Sequence, residues 1–203
     1  MSILKSTKLE QIGAGMIAPT PTINITDPIL FNTCLAATAD NDEVRDYLRG
    51  LSIDPAKKTI TGCNGFFFVR GEALNFSNWK SKEKILIFPA KKLPNEVSFA
   101  TINIKEKSIT GLCKKGHFSI PFSITNKKYP GHEHFIATDE NKIAAANICL
   151  NPHFLRKLQK ASFSIFANIT THKPENNPIF YSIELSGSKI HSEYTAIVMP
   201  GYA

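Results

Sequence analysis

Val44-Arg45-Asp46-Tyr47-Leu48-Arg49-Gly50-Leu51-Ser52-Ile53-Asp54 is followed by Lys58-Thr59-Ile60-Thr61, then by Cys63-Asn64-Gly65 ahead of Phe66-Phe67-Phe68-Val69. Apolar residues broken at Asp54-Pro55 and at an Asn-Gly pair predict two or three short strands, because Pro presets a turn and Asn-Gly accepts the positive φ of a tight hairpin. Upstream, Asp27-Pro28 predicts a helix start: the carboxylate caps free N–H groups, and Pro at the first helical position has none to lose. The helix is expected to reach about Ala39, packing Ile29, Leu30, Cys34 and Leu35, and to be broken by Asn41-Asp42. The unit is thus a capped helix followed by a strand meander.

Outward from this unit, residues 72–83, polar around the lone Trp79, read as a connection. Alternation then predicts three strands, at Val97–Ile104, Ser108–Cys113 and Phe118–Ile124, with Lys114-Lys115-Gly116 as the turn between the last two. Ile143–Ile148 continues the series. Asn151-Pro152 then predicts a second capped helix, with Phe154, Leu155, Leu158 and Ala161 packing and Arg156, Lys157 and Lys160 exposed. Strands are expected again at Ser164–Thr170, Ile179–Leu185 and Tyr194–Met199. Residues 1–22 end in Ala18-Pro19-Thr20-Pro21-Thr22, a stiff arm or linker.

The 203 residues, 42% of them hydrophobic, suffice for one large or two small domains with a core. No apolar run is long enough to span a membrane and no signal-peptide core follows Lys5 and Lys8, so a cytoplasmic protein is expected. Cys34, Cys63, Cys113 and Cys149 are scattered without a Cys-x-x-Cys pair, which points to reduced, mostly buried thiols. The net charge of +7 is uneven: residues 80–128 hold eleven Lys against Glu83, Glu96 and Glu106. Such a surface attracts polyanions, nucleic acid above all; a Lys-rich solvated face is the other reading.

The wording of the opening stretch resembles the middle domain of bacterial DNA polymerase III beta subunits, the sliding clamps. Lys84-Ile85-Leu86-Ile87-Phe88-Pro89-Ala90-Lys91-Lys92 resembles the start of the second half of a clamp domain, and Asn126–Phe135 resembles the connector leaving it. Asn176–Glu184 and Tyr194–Ala203 resemble the endings of bacterial clamps. These matches keep the family's order from residue 23 to residue 203, roughly nine-tenths of the chain.

The resemblance implies an α+β, DNA-clamp (processivity-fold) architecture, mostly antiparallel β with a few short helices. It implies a clamp-like domain of two half-units over 23–135, helix-poor in its second half because Pro94 and Val97 leave little room, and a C-terminal half-unit over 136–203. Three half-units stand where the bacterial subunit has six, which describes a shortened, divergent member; four such chains would complete a ring of twelve. The function implied is a processivity factor that encircles double-stranded DNA and tethers DNA polymerase or other clamp-motif proteins. The alternative is a clamp-derived module that binds replication proteins without forming a ring.

Position by position, the resemblance assigns DNA contact to Arg45, Tyr47 and Arg49, with Asp46 replacing an aromatic residue, and to Arg156, Lys157 and Lys160. It assigns a peptide-binding groove to Cys63, Phe68, Pro130, His134, Phe135, Ile197, Met199 and Pro200, although such residues also serve as ordinary core. His132-Glu133-His134 supplies too few ligands for a metal site. No nucleophile-base pair, paired carboxylate or phosphate-binding loop has a local signature, so neither an enzyme nor a cofactor is expected.

Overall fold

A computed structural model describes residues 21–40, 43–129, 131, 151–162, 166–173, 180–187 and 189–198. Among the described residues twelve strands and two α-helices follow one another. They are β1 (Thr22–Ile25), α1 (Pro28–Ala36), β2 (Leu51–Asp54), β3 (Thr59–Cys63), β4 (Phe67–Gly71), β5 (Leu74–Ser77), β6 (Ile85–Pro89), β7 (Val97–Asn103), β8 (Ser108–Cys113) and β9 (Gly116–Thr125), then α2 (Pro152–Ser162), β10 (Phe166–His172), β11 (Phe180–Ser186) and β12 (Tyr194–Val198). Every strand pairing is antiparallel, in the order β10-β11-β12-β4-β3-β2-β6-β9-β8-β7-β1-β5. The α+β, mostly antiparallel architecture expected from the sequence is the one present.

The order turns back on itself. Only Glu72 and Ala73 separate β4 from β5, so the strand at the far end of the sheet continues one near its other end. The first strand of each half is exchanged: β1 pairs with β7, and β6 pairs with β2.

The halves also share a register. Adding 49 to each residue number carries Ile53↔Ile60 onto Ile102↔Ile109, and Cys63↔Phe68 onto Leu112↔His117. The connecting turns repeat as well. Asp54 Oδ1 accepts from Lys57 N–H at 3.2 Å and Asn103 Oδ1 from Glu106 N–H at 3.2 Å; Lys58 and Lys107 then take φ of 55° and 51°.

What the halves do not share is the helix. In the first, α1 lies so close over β3 that a Cβ on Gly62 would sit 1.7 Å from the Cys34 carbonyl oxygen. In the second, seven residues join β6 to β7 with no helix, as the crowding of Pro94 and Val97 predicts. That connection is held to α1 instead: Asn32 Nδ2 donates to the Leu93 carbonyl at 3.1 Å, and Leu93 N–H donates to Asn32 Oδ1 at 2.8 Å. Leu93 is fully buried with Ile23, Leu30, Phe31, Ile87, Ile102 and Ile120 in the core between the strand sets.

Five local expectations are corrected. Asp46–Arg49 is a turn of 3-10 helix rather than part of a strand; Leu48 is buried on it and Gly50 N–H closes onto the Tyr47 carbonyl. The connection at 72–83 contains β5, and the end of the N-terminal arm runs into β1; these two short strands pair with each other over four residues. The first helix ends at Ala36, where its cap N–H turns back to Thr33 and Cys34 carbonyls. The strand after Lys114-Lys115 begins at Gly116, two residues early, because Gly116 at φ 113° belongs to the turn and the ladder alike.

Asp27 caps α1 as expected and does more. Its Oδ1 accepts from Ile29 and Leu30 N–H at 3.1 and 2.8 Å, and its Oδ2 from His191 and Ser192 N–H at 2.9 and 3.2 Å. The second pair ties the helix start to the segment entering β12. Asp27→Ala removes an N-cap and strands N–H groups bound to a buried carboxylate, so it should destabilise the fold by about 3 kcal/mol in urea unfolding. Gly62→Ala meets backbone that cannot yield, and should likewise lose about 3 kcal/mol or more.

Candidate functional site

The residues assigned to DNA contact lie on two elements. Arg45 precedes the 3-10 turn that carries Tyr47 and Arg49; Arg156, Lys157 and Lys160 lie on α2. The α2 helix docks by the face expected of it: Leu158 is buried, Leu155 is half-buried against the core, and the Phe154 ring stacks on Phe67 with centroids 5.6 Å apart. Arg156 and Lys160 are thereby left exposed.

Two of the assigned cations have acidic partners. Glu43 accepts from Arg45 Nε at 2.8 Å, from Arg45 Nη2 at 3.2 Å, and from the Arg45 backbone N–H at 3.0 Å. These bonds hold the Glu43 carboxyl down at a pKa of about 2 and push the guanidinium up. The Arg45 guanidinium also overlies the turn at Gly65, whose φ is 92°. Lys157 Nζ reaches Asp40 at 3.3 Å, joining α2 to the segment after α1. A third pair, Lys127 to Asp46 at 2.6 Å, lies beside the 3-10 turn and holds the Asp46 carboxyl below its usual range.

Between α1, the short connection before β7 and α2 lies a groove of about 710 Å³. Lys92, Lys157, Lys160 and Lys189 line it, together with Asp27, Asp40 and Glu96. Its basic side combines two lysines assigned from the sequence with two that were not. Lys92 and Lys189 lie far apart in the chain, so no local pattern links them.

Of the eight positions assigned to a peptide groove, the structure brings three into one cross-strand row. Cys63 on β3 opposes Phe68 on β4, and Phe68 opposes Ile197 on β12. Phe68 and Ile197 are only 4% and 2% exposed, while Cys63 is half-buried. Pro130, His134, Phe135, Met199 and Pro200 lie outside the described residues, as do His132, Glu133, Cys149 and the strand expected at Ile143–Ile148. The Tyr129 hydroxyl is enclosed near Cys63 and Cys34, and burial pushes its pKa up; burial also raises both thiols, against the Gly65 N–H that donates to Cys63 Sγ at 3.2 Å. Cys34, Cys63 and Cys113 are free thiols. Among the described residues no helix is long and apolar enough to cross a membrane.

No protein-family model and no curated protein matches the sequence. Solved structures do match the fold. The H. pylori beta clamp, in complex with diflunisal, aligns with a TM-score of 0.58 at 9% identity, over 92% of this chain and 68% of that one. The DNA polymerase III beta subunit of Thermotoga maritima aligns with a TM-score of 0.50 at 8% identity, over 90% of this chain and 65% of its own. This chain has the sliding-clamp fold. It spans about two-thirds of the length of these clamps, so the likeness concerns architecture and says nothing of individual side chains.

The Glu43–Arg45 pair gives a direct test of the geometry. Because the folded pKa of Glu43 is depressed, the pair holds above the ordinary carboxylate range and is lost only as pH falls through about 2. An NMR titration should place the Glu43 midpoint near that value, and Arg45→Ala should return it to the ordinary glutamate pKa of about 4.3.

Proposed function

We propose that this protein is a sliding-clamp-like processivity factor: it encircles duplex DNA without sequence specificity and tethers a polymerase or repair protein. The observation that carries the reading is the sliding-clamp fold across nine-tenths of the chain. Exposed Arg156 and Lys160 on α2 and the lysine-lined groove beside it supply the chemistry that phosphates require, namely cations on a rigid element with no base-reading geometry. A clamp acts by topology, so individual contacts need only be weak and numerous. Four chains of three half-units would complete a ring of twelve, and the protein would act in the cytoplasm as a homo-oligomer.

A second reading is favoured by one observation. Arg45, Lys157 and Lys127 are each matched with a carboxylate of the same chain, which reduces the charge free to meet DNA. That pattern suits a clamp-derived module that binds replication proteins without a ring.

Retention on closed circular DNA, with release when the circle is cut, together with a native mass of four chains, is the outcome expected of the first reading. Equal binding to both DNA forms by a single chain would reject it. Arg156→Ala with Lys160→Ala should lower the slope of log affinity against log salt by about 2, at roughly 0.9 per phosphate contact. Glu43→Gln should strengthen duplex binding by freeing Arg45, and Arg45→Ala with Arg49→Ala should weaken it; fluorescence anisotropy across a salt series measures all three.

A further inference from the structure

The internal repeat exposes an edge that one half fills and that, among the described residues, the other leaves without a partner strand. On β4, the ladder with β3 uses one side of the strand and β12 occupies the other, from Tyr194↔Gly71 to Val198↔Phe67. The β4 residues opposite Ile197 and Thr195 are Phe68 and Arg70. Their repeat equivalents on β9, again 49 residues on, are His117 and Ser119.

Phe122 N–H donates to the Lys107 carbonyl at 2.9 Å, so Phe122, Ile120 and Phe118 turn their backbone groups toward β8. By the alternation of an antiparallel ladder, His117 and Ser119 turn theirs away. No described strand pairs with them on that side, and both residues are exposed.

The flank of this edge is apolar. His117 opposes Leu112 and Leu112 opposes Phe99, a row in which Phe99 is 53% exposed. The equivalent row in the first half, Cys63 and Phe68, continues onto Ile197, with Phe68 and Ile197 buried. No charged residue occurs from Gly116 to Thr125, so the edge lacks the lysines that usually blunt an unpaired strand. Pro121 sets the limit of this edge: it has no N–H, and its carbonyl already accepts from Ala90 N–H at 3.0 Å.

The chain itself shows what fills such an edge: the last strand of another half-unit, antiparallel. Three strands hold that place, β4, β9 and β12. Since β4 and β12 take each other, β9 is left, and its complement is another β9. We propose that the outer edge of β9, Gly116–Ile120, pairs antiparallel with the same strand of a second copy through the backbone groups of His117 and Ser119. Such a contact is isologous and closes as a dimer, so a four-chain ring is a dimer of these dimers joined elsewhere. The inference rests on the assembly part of the proposed function and on none of its DNA contacts.

The test uses the full chain without DNA. His117→Cys/Ser119→Cys places thiols where directly opposed strand residues lie about 5.5 Å apart between Cα atoms, within disulfide reach. Mild oxidation should give a covalent dimer that reductant reverses and that the wild-type protein does not form. Ser119→Pro, which deletes an outward N–H and spares the β8 ladder, should halve the native mass measured by light scattering. A double-cysteine variant with wild-type circular dichroism and no covalent dimer overturns the proposal. So does a wild-type mass of one chain at every concentration, or a mixed cross-link between this variant and Asn168→Cys on the outer strand β10. Loss of circular-DNA retention alongside an intact cross-link would reject the clamp reading and support the β9 contact.

Discussion

The Asp27 carboxylate is the point on which the described fold converges. A cap that only started α1 would need one oxygen; here the other holds the His191 and Ser192 N–H groups, fixing the approach to β12. The Glu193 carbonyl then accepts from Glu72 N–H at 2.9 Å, and the β12–β4 ladder begins at the next residue. One buried anion therefore couples the first helix, the first half's last strand and the end of the third segment. Bonds to an ionised acceptor are stronger than neutral ones, which suits a joint between segments more than 160 residues apart.

Around that joint the core is divided by function. Ile60, Val69, Leu30 and Phe31 close the first half under α1, with Gly62 admitting the helix backbone. Ile102, Ile109 and Ile120 close the second without a helix, and Leu93 plugs the opening while Asn32 satisfies its backbone on both sides. The missing helix is thus replaced by a buried leucine and two hydrogen bonds. It also leaves space between α1, the connection and α2, and that space is the lysine-lined groove.

Much of this was legible in the chain because it is local. Asp27-Pro28 marked a helix start, Asn64-Gly65 a turn, and the alternation after Val97 a meander, all of which depend on neighbouring residues. The strands expected from Val44 onward begin only at Leu51, because the 3-10 turn over Asp46–Arg49 carries Leu48 into the core. The strands β1 and β5 are too short to announce themselves and exist through each other. The site was less legible still. Arg45 and Lys157 read as cations available to DNA; the carboxylate that meets Lys157, Asp40, stands more than 100 residues away from it in the chain. The repeat is also present in the sequence: Thr59-Ile60-Thr61-Gly62 and Ser108-Ile109-Thr110-Gly111, 49 residues apart, differ only by Thr against Ser.

That repeated phrase carries different loads in its two copies, and the difference explains the asymmetry of the molecule. At Gly62 the absent side chain makes room for a helix. At Gly111 a Cβ would lie 2.2 Å from the Phe99 carbonyl and 2.8 Å from the Phe118 ring, so the same glycine accommodates a neighbouring strand and an aromatic cover instead. Identical register with different cover means that strand pairing, not helix packing, is what the two halves have in common. A ladder can be extended by any strand offering matching backbone groups, whereas a helix-covered face is finished. The half with the helix receives β12 from within the chain; in the half without it, no described strand lies on the outer side of His117 and Ser119.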